Sequence, residues 1–164
     1  MDLYILRHGR AGPPASGSPD SSRPLTGQGR KEIRGVAKAM QAGKFRFDAI
    51  ATSPYTRASE TAGIVARALG QKDRIEIWDE LAPGGDQDTV CYRAAQFGDS
   101  AAVLICGHEP ALSALVSRIV AGHDNAAIVL TKGGLAKIRN YTFGHRPSGE
   151  LQWLLTPKQM IAMR

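Results

Sequence analysis

The chain has 164 residues, a length typical of one domain, and its 43% hydrophobic and 22% charged side chains exclude the disordered and fibrous classes. Lys and Arg outnumber Asp and Glu by 21 to 15, but only 6% of residues are aromatic, so a nucleic-acid partner is not indicated. With two cysteines and no apolar run near the ~20 residues that span a bilayer, we expect a cytoplasmic protein, a single domain over 1–164, without a membrane partner.

The first half of the sequence alternates short apolar segments with amphipathic ones, a pattern that predicts strands followed by helices. Thr26 is placed to cap the first helix. Ser53-Pro54 supplies a hydroxyl cap and a proline in the first turn of the second helix, which Gly70 ends. The predicted elements are strands over 2–6, 48–52 and 75–78, a surface loop over 12–24, and helices with buried faces at Ile33, Val36, Ala37 and Met40 and at Ala58, Ala62, Val65, Ala66 and Leu69.

The second half begins with a Pro83-Gly84-Gly85 turn and contains the most convincing buried strand of the chain, over 101–106. The amphipathic stretch that follows this strand predicts a helix. The predicted elements are helices marked by Val90, Ala94 and Phe97 and by Leu112, Leu115, Val116, Ile119 and Val120, strands over 101–106, 126–130, 135–141 and 150–155, and a short terminal helix over 157–163. Strands that alternate with helices predict an α/β fold, a three-layer α/β/α sandwich with a mostly parallel central sheet.

Two histidines that are 100 residues apart, His8 and His108, stand where predicted strands end. Because the carboxyl ends of strands border the ligand crevice of an open α/β sheet, we expect both imidazoles to face one pocket. Arg7 precedes the first histidine, and Arg57 lies in the first helical turn after another strand. Arginine binds phosphate oxygens through parallel hydrogen bonds, and helix N-termini add backbone donors. These residues therefore predict a site for a doubly charged anion.

Several short motifs occur in a fixed order along the chain. They are Leu6-Arg7-His8-Gly9, Arg23-Pro24-Leu25-Thr26, Ser53-Pro54 followed by Arg57-Ala58 and Thr61-Ala62, and Gly107-His108. Together they resemble the motifs of the histidine phosphatase superfamily, which has the phosphoglycerate-mutase-like fold. Three further segments resemble the small SixA-type phosphohistidine phosphatases of that superfamily, which lack a lid domain. These are Leu81-Ala82-Pro83-Gly84-Gly85-Asp86, Gly107-His108-Glu109-Pro110 and Trp153-Leu154-Leu155-Thr156-Pro157.

The resemblance implies a role for each matching residue. His8 would be the nucleophile, which becomes a phosphohistidine and divides one difficult displacement into two easier steps. Cationic side chains would neutralise the phosphoryl group, so neither a metal nor a cofactor is expected. The expected substrate-binding residues are Arg7, Arg57, His108, Gly9 and Ser53.

Two acidic residues are candidates for the general acid that protonates the leaving group. In larger members of the superfamily a glutamate after the Arg-Ala-x-x-Thr-Ala helix has this role, and Glu80 falls at that place; a solvated acid beside a turn is the alternative interpretation. Asp86 is the second candidate, with the N-cap of the next helix as its alternative role. A phosphoramidate leaves as a weakly basic imidazole and needs less help from an acid than an alcohol does.

The rim of the expected pocket bears on the substrate. Arg10 stands where small relatives often carry an acidic or polar residue, and it adds positive charge. Only 23 residues separate Arg57 from Glu80, too few for the helical lid that encloses small metabolites. The leading hypothesis is therefore a metal-independent phosphatase for phosphohistidine in a protein of the phosphotransfer type. A phosphomonoesterase for a small phosphate ester and a non-catalytic phosphate-binding module are the alternatives.

Overall fold

The central element of the computed structural model, which describes residues 1–163, is a six-stranded mixed sheet. Its strands are β1 (Asp2–Arg7), β2 (Ala49–Thr52), β3 (Ile75–Ile77), β4 (Ala102–Gly107), β5 (Leu135–Phe143) and β6 (Pro147–Leu155). They lie in the order β3-β2-β4-β1-β5-β6; the first four of these are parallel, and β5 and β6 each pair antiparallel. The parallel part follows from the alternation of strands and helices, because parallel neighbours need long crossover connections.

Helices cover both faces of this sheet. Within residues 1–163, α1 (Gly27–Ala42), α2 (Thr56–Leu69) and α5 (Pro157–Ala162) pack on one face, and α3 (Gln87–Ala95) and α4 (Ala111–Ala121) pack on the other. Side chains of β1 alternate between the two cores: Leu3 and Ile5 point to the side of α3 and α4, and Tyr4 and Leu6 point to the opposite side. The predicted three-layer α/β/α sandwich is confirmed.

The ends of the first two helices follow local sequence signals, with one difference. The hydroxyl of Thr26 accepts a 2.9 Å hydrogen bond from the N–H three residues on, which confirms it as the cap of α1. Gly70 ends α2 with a φ of 69°, a left-handed conformation that glycine adopts without strain. The helix begins later than predicted, at Thr56, and the hydroxyl of Ser53 accepts a 3.2 Å hydrogen bond from the N–H of Tyr55. Ser53 therefore lies directly after β2 and outside the helix.

One predicted strand is wrong. Residues 126–130 form no strand in the structure. Because β1 already pairs with β4 on one side and β5 on the other, a segment beside its end meets no free sheet edge. Leu130 is nevertheless buried, and its carbonyl oxygen accepts a 2.8 Å hydrogen bond from Arg7. Leu130, together with the partly buried Ile128, anchors an irregular segment against the end of β1.

The strand order brings three strand ends together, since β4 lies between β2 and β1. The N–H of His8 donates to the carbonyl of Gly107 at 3.1 Å, and that of Ser53 donates to the carbonyl of Cys106 at 3.0 Å. These bonds continue the pairing one residue beyond β1 and β2. His8, Ser53 and His108 consequently stand side by side at the carboxyl edge of the sheet, where open α/β sheets bind their ligands.

The connection from α2 to α3 contains no inserted helical domain. It consists of a 3₁₀ turn at Lys72–Arg74, β3, and a second 3₁₀ turn at Asp79–Leu81. This connection therefore places no lid over the carboxyl edge. Among residues 1–163, no helix is both long and apolar enough to traverse a bilayer.

Candidate active site

The ring of His8 is held at both of its nitrogens. It is only 8% exposed, and its Nδ1 lies 2.7 Å from the carbonyl oxygen of Gly9. Because a carbonyl can only accept, Nδ1 carries the proton of the neutral ring and Nε2 keeps a free electron pair. The Nε of Arg57 donates to this Nε2 at 3.4 Å. A neutral His8 thus presents a nucleophilic nitrogen toward a guanidinium group.

The surroundings of His8 keep the ring neutral near pH 7. Burial lowers its pKa, as do the positive charges of Arg57, Arg7 and Lys132. These effects outweigh the hydrogen bond to Gly9, which raises the pKa, and the result is a pKa of about 4. The electron pair on Nε2 is therefore available for attack at neutral pH.

The second histidine packs against the first. The ring centroids of His8 and His108 are 4.9 Å apart, and the ring of Tyr55 packs edge-on against His108 at 5.2 Å. The Nε2 of His108 lies 2.8 Å from the hydroxyl of Ser53, and its buried Nδ1 has no hydrogen-bond partner within residues 1–163. Burial, the charge that His8 acquires when it is protonated and the positive charge of Arg57 lower the pKa of His108 to about 3. Ser53, which we expected to contact substrate, directly orients this ring.

Two guanidinium groups lie at the same edge as the two imidazoles. Arg57, in the first turn of α2, is only 5% exposed and contacts His8. Arg7 donates from one Nη to the carbonyl of Leu130 at 2.8 Å, and its Nε is buried without a partner in the described chain. The structure thus brings together the histidines and arginines that the sequence predicted, in an arrangement suited to a phosphate dianion.

Asp20 occupies the outer side of Arg57. Its carbonyl oxygen and one carboxylate oxygen accept hydrogen bonds of 2.9 and 3.0 Å from the two Nη atoms of Arg57. The other carboxylate oxygen lies 2.7 Å from the Nε of Arg23. Desolvation raises the pKa of Asp20, but its hydrogen bond with Arg57 and the two arginine charges lower the pKa below its ordinary value overall. The Asp20 side chain is 53% exposed, in contrast to the buried guanidinium of Arg57.

Gly9 supports the ring of His8 and does not offer a free N–H to a ligand. Its N–H donates to the hydroxyl of Thr61 at 3.1 Å, and its carbonyl accepts from His8. A Cβ at this position would come within 2.7 Å of Cγ1 of Ile33, so close packing against α1 requires a glycine here. Gly9 therefore has a structural role here, and its contact with substrate stays a prediction.

Neither candidate general acid hydrogen-bonds to a histidine of the site within residues 1–163. The carboxylate of Glu80 forms a 3.0 Å ion pair with Arg93 of α3, whose guanidinium lies 4.4 Å from the ring centroid of Trp78. Asp86 accepts a hydrogen bond from the N–H of Asp88 and is the N-cap of α3, the alternative role considered for it. These contacts tie both acids to α3.

Three residues at the site were missed from the sequence: Asp20, Tyr55 and Lys132. A signal existed for Asp20, since it is the only acidic residue within 3–31. Lys132 precedes Gly133, whose N–H donates to two carbonyls at the end of β1, at 3.1 and 3.2 Å. Because residues 126–130 were predicted to be a strand, the sequence did not show that the chain returns to the end of β1 at Gly133. Within residues 1–163, no group of three or more His, Cys, Asp or Glu is placed to hold a metal ion.

Comparisons with known proteins identify relatives of the whole chain. Residues 3–83 match the model of the histidine phosphatase superfamily (branch 1). The phosphohistidine phosphatase SixA of Escherichia coli K12 is 30% identical over 159 residues, covering 96% of this chain and 94% of that protein. An uncharacterized protein of Picosynechococcus sp. is 32% identical over 171 residues, covering 98% of this chain and 99% of that protein.

A solved structure extends the agreement to three dimensions. The protein histidine phosphatase SixA complexed with tungstate superposes with a TM-score of 0.84 at 29% identity, covering 96% of this chain and 98% of that one. The resemblance found in the motifs is therefore confirmed in sequence and in fold along nearly the whole chain. The chain belongs to the SixA-type branch of the histidine phosphatase superfamily and is a metal-independent hydrolase of the class that uses a histidine nucleophile.

Proposed function

We propose that this protein removes phosphate from phosphohistidine in a phosphorylated protein, through a covalent phosphohistidine at His8. The observation that carries the proposal is the state of His8, a buried neutral imidazole whose Nδ1 is bound by the carbonyl of Gly9 and whose Nε2 is directed at Arg57. Attack on phosphorus requires a neutral nitrogen held in a fixed orientation.

In the first step, Nε2 of His8 attacks the phosphorus, and the bond from phosphorus to the substrate nitrogen breaks. The electron pair of that bond leaves with the substrate imidazole, which takes up a proton from solvent. Arg57 gives up its hydrogen bonds to Nε2 of His8 and to the carboxylate of Asp20, and it binds phosphoryl oxygens instead. The buried and unpartnered Nε of Arg7 and Nδ1 of His108 bind the other oxygens.

In the second step, water attacks the phosphorus of phospho-His8. The bond to Nε2 breaks, its electron pair returns to the ring, and inorganic phosphate is released. While phosphorylated at Nε2 and protonated at Nδ1, the ring carries a positive charge. The hydrogen bond to the carbonyl of Gly9 strengthens in that state and stabilises the intermediate.

Three observations support a protein-bound phosphohistidine as the substrate. The E. coli relative is a phosphohistidine phosphatase, and the SixA solved with tungstate binds a tetrahedral oxyanion of the same shape as phosphate. The connection from α2 to α3 places no lid over the site, so a phosphoryl group on a folded protein has access. The imidazole leaving group needs little acid assistance, which agrees with the pairing of Glu80 with Arg93.

The proposal includes the setting in which the enzyme acts. The partner is a phosphorylated protein of the histidine phosphotransfer type in the cytoplasm, and the chain works as one domain without a cofactor. Cys91 and Cys106 are buried free thiols, which suits a reducing compartment.

The test compares His8→Ala with His145→Ala, a matched control at an exposed histidine of the β5–β6 turn. On a phosphohistidine-bearing protein, we expect the control to release phosphate at the wild-type rate and His8→Ala to lose at least about 1,000-fold in kcat/KM. Chelation should leave the rate unchanged. Mass spectrometry of the reacting enzyme at neutral pH should locate a phosphoryl group on His8.

The same enzyme is then assayed on a panel of sugar phosphates and nucleotides. A kcat/KM that is higher on this panel than on phosphohistidine would replace the proposed substrate with a small phosphate ester. Phosphate binding without turnover of any ester or phosphoramidate would identify a non-catalytic binding module.

A further inference from the structure

A groove with several cationic side chains begins at Arg7 and runs along the margin of the site. It has a volume of about 570 Å³, and its charged lining residues are Arg7, Arg10, Glu32, Lys132 and Lys158. These four positive charges against one negative charge leave a net charge of +3. We call it the Lys132–Lys158 groove. Because Arg7 lines both the groove and the catalytic edge, a ligand seated at His8 can extend into it.

The two lysines of the groove have no counterion within residues 1–163. The side chains of Lys132 and Lys158 are exposed, and neither forms an ion pair or a hydrogen bond with residues 1–163. Arg10, with 59% of its side chain exposed, is paired with Glu32 at 3.4 Å and with no other acid of the described residues. Exposed cations without partners are available to attract an anionic ligand.

The groove is also fixed in position relative to the nucleophile. Gly133, next to Lys132, donates its N–H to the carbonyls of Arg7 and His8 at 3.1 and 3.2 Å. The charge of Lys132 is felt at the ring of His8, where it contributes to the low pKa. A segment bound in the groove therefore lies at a set distance from the phosphoryl group.

The lining of the groove favours one class of occupant. It contains no aromatic side chain for a nucleobase to stack on, which argues against single-stranded nucleic acid. Val129, with 75% of its surface exposed, adds an apolar contact to the cationic ones. A peptide with acidic and apolar side chains matches this combination.

We propose that the Lys132–Lys158 groove binds an acidic segment of the phosphoprotein substrate, adjacent to its phosphohistidine. This inference rests on the proposed function, and it adds a determinant of which phosphoprotein is chosen. Arg10 and Lys158 supply attraction that a free phosphate ester does not use. Lys158 therefore affects the reaction of a phosphopeptide and leaves the chemistry at His8 unchanged.

The experiment uses two phosphohistidine peptides of equal length, one with flanking Glu and Asp and one with flanking Ser and Gln, together with p-nitrophenyl phosphate. We expect kcat/KM at low salt to be about 10-fold higher for the acidic peptide, and the advantage to fall as salt is added, because ions screen exposed charges. Lys158→Glu should lower kcat/KM for the acidic peptide by about 3- to 10-fold through KM and leave p-nitrophenyl phosphate unchanged. Lys158→Arg should behave as wild type.

Lys72→Glu is the matched control, since Lys72 is exposed just before β3, at the opposite edge of the sheet. Equal kcat/KM on the two peptides, or an equal loss on p-nitrophenyl phosphate in Lys158→Glu, would overturn the groove inference while the proposed function stands. Turnover of p-nitrophenyl phosphate with no turnover of either peptide would overturn both. A single-stranded oligonucleotide that inhibits as strongly as the unphosphorylated acidic peptide would assign the groove to nucleic acid.

Discussion

The protonation state of a buried imidazole depends on the group that shares its hydrogen bond. His8 bonds to the carbonyl of Gly9 and His108 to a serine hydroxyl, and neither ring bonds to a carboxylate within residues 1–163. A carboxylate partner would favour the charged ring, whereas the guanidinium of Arg57 disfavours it. Asp20, the acid at this site, is bound to Arg57. This division of partners keeps the nucleophile neutral in a cationic pocket.

We expect the pKa of His8 in the folded protein to be about 4, well below the ordinary value of 6.5. Between these two pH values the unfolded chain binds more protons at this position than the folded protein does. The free energy of unfolding therefore falls as the pH is lowered through this window. The ring-nitrogen chemical shifts of His8, followed by NMR against pH, check the prediction; a midpoint near the ordinary value would contradict it.

At the scale of elements, the strand ends could be predicted and the irregular segments could not. His8 and His108 follow short apolar runs, and parallel strands bring their carboxyl ends to one edge, so their meeting could be anticipated. The loop of Asp20 and the segment before Lys132 have no periodicity that shows where they return to the sheet. Residues 126–130 misled because the burial of one residue, Leu130, against a strand end requires the same kind of side chain as pairing within a sheet, although Val129 beside it is exposed.

Helix α1 packs closely on the loop after His8, and a pair of its glycines tests this contact. A Cβ at Gly29 would overlap the backbone carbonyl of Arg10, which cannot rotate away, whereas a Cβ at Gly27 meets no atom within 4 Å. We expect Gly29→Ala to lower the free energy of unfolding by about 2–3 kcal/mol and Gly27→Ala, the matched control, to leave it unchanged or raise it by up to about 1 kcal/mol.

Urea unfolding of the two variants provides the measurement. Because Arg10 follows shortly after His8, Gly29→Ala should also lower kcat on p-nitrophenyl phosphate, and Gly27→Ala should not. Equal stabilities of the two variants would show that the first turn of α1 does not press on this loop.

At the scale of the whole molecule, two helical layers cover the faces of the sheet and leave its carboxyl edge open. The connection between α2 and α3 adds no insertion above β2, β4 and β1. An open edge admits a phosphorylated protein, and it also admits water to the phosphorylated enzyme. A mutase must instead keep water away until it returns the phosphoryl group to its substrate. This architecture therefore favours hydrolysis over transfer.

We expect a monophosphoglycerate, supplied at high concentration with a trace of bisphosphoglycerate as primer, to yield inorganic phosphate without its positional isomer. The reason is that water reaches the phosphoryl group on His8 before a second organic acceptor is aligned. Phosphorus NMR of the reaction mixture distinguishes the added monophosphoglycerate, its positional isomer and inorganic phosphate. Accumulation of the isomer would show that the edge closes during the reaction.

The backbone hydrogen bond from His8 to Gly107 joins the two histidine-bearing strands just past the regular sheet. The backbone spacing of the two histidines is consequently set by the ladder, whereas the loop after His8 orients its ring. This separation makes the scaffold modular. If the loops that contact the partner protein are exchanged between homologues, the choice of phosphoprotein should change. The rate of turnover of a simple aryl phosphate serves as the internal standard.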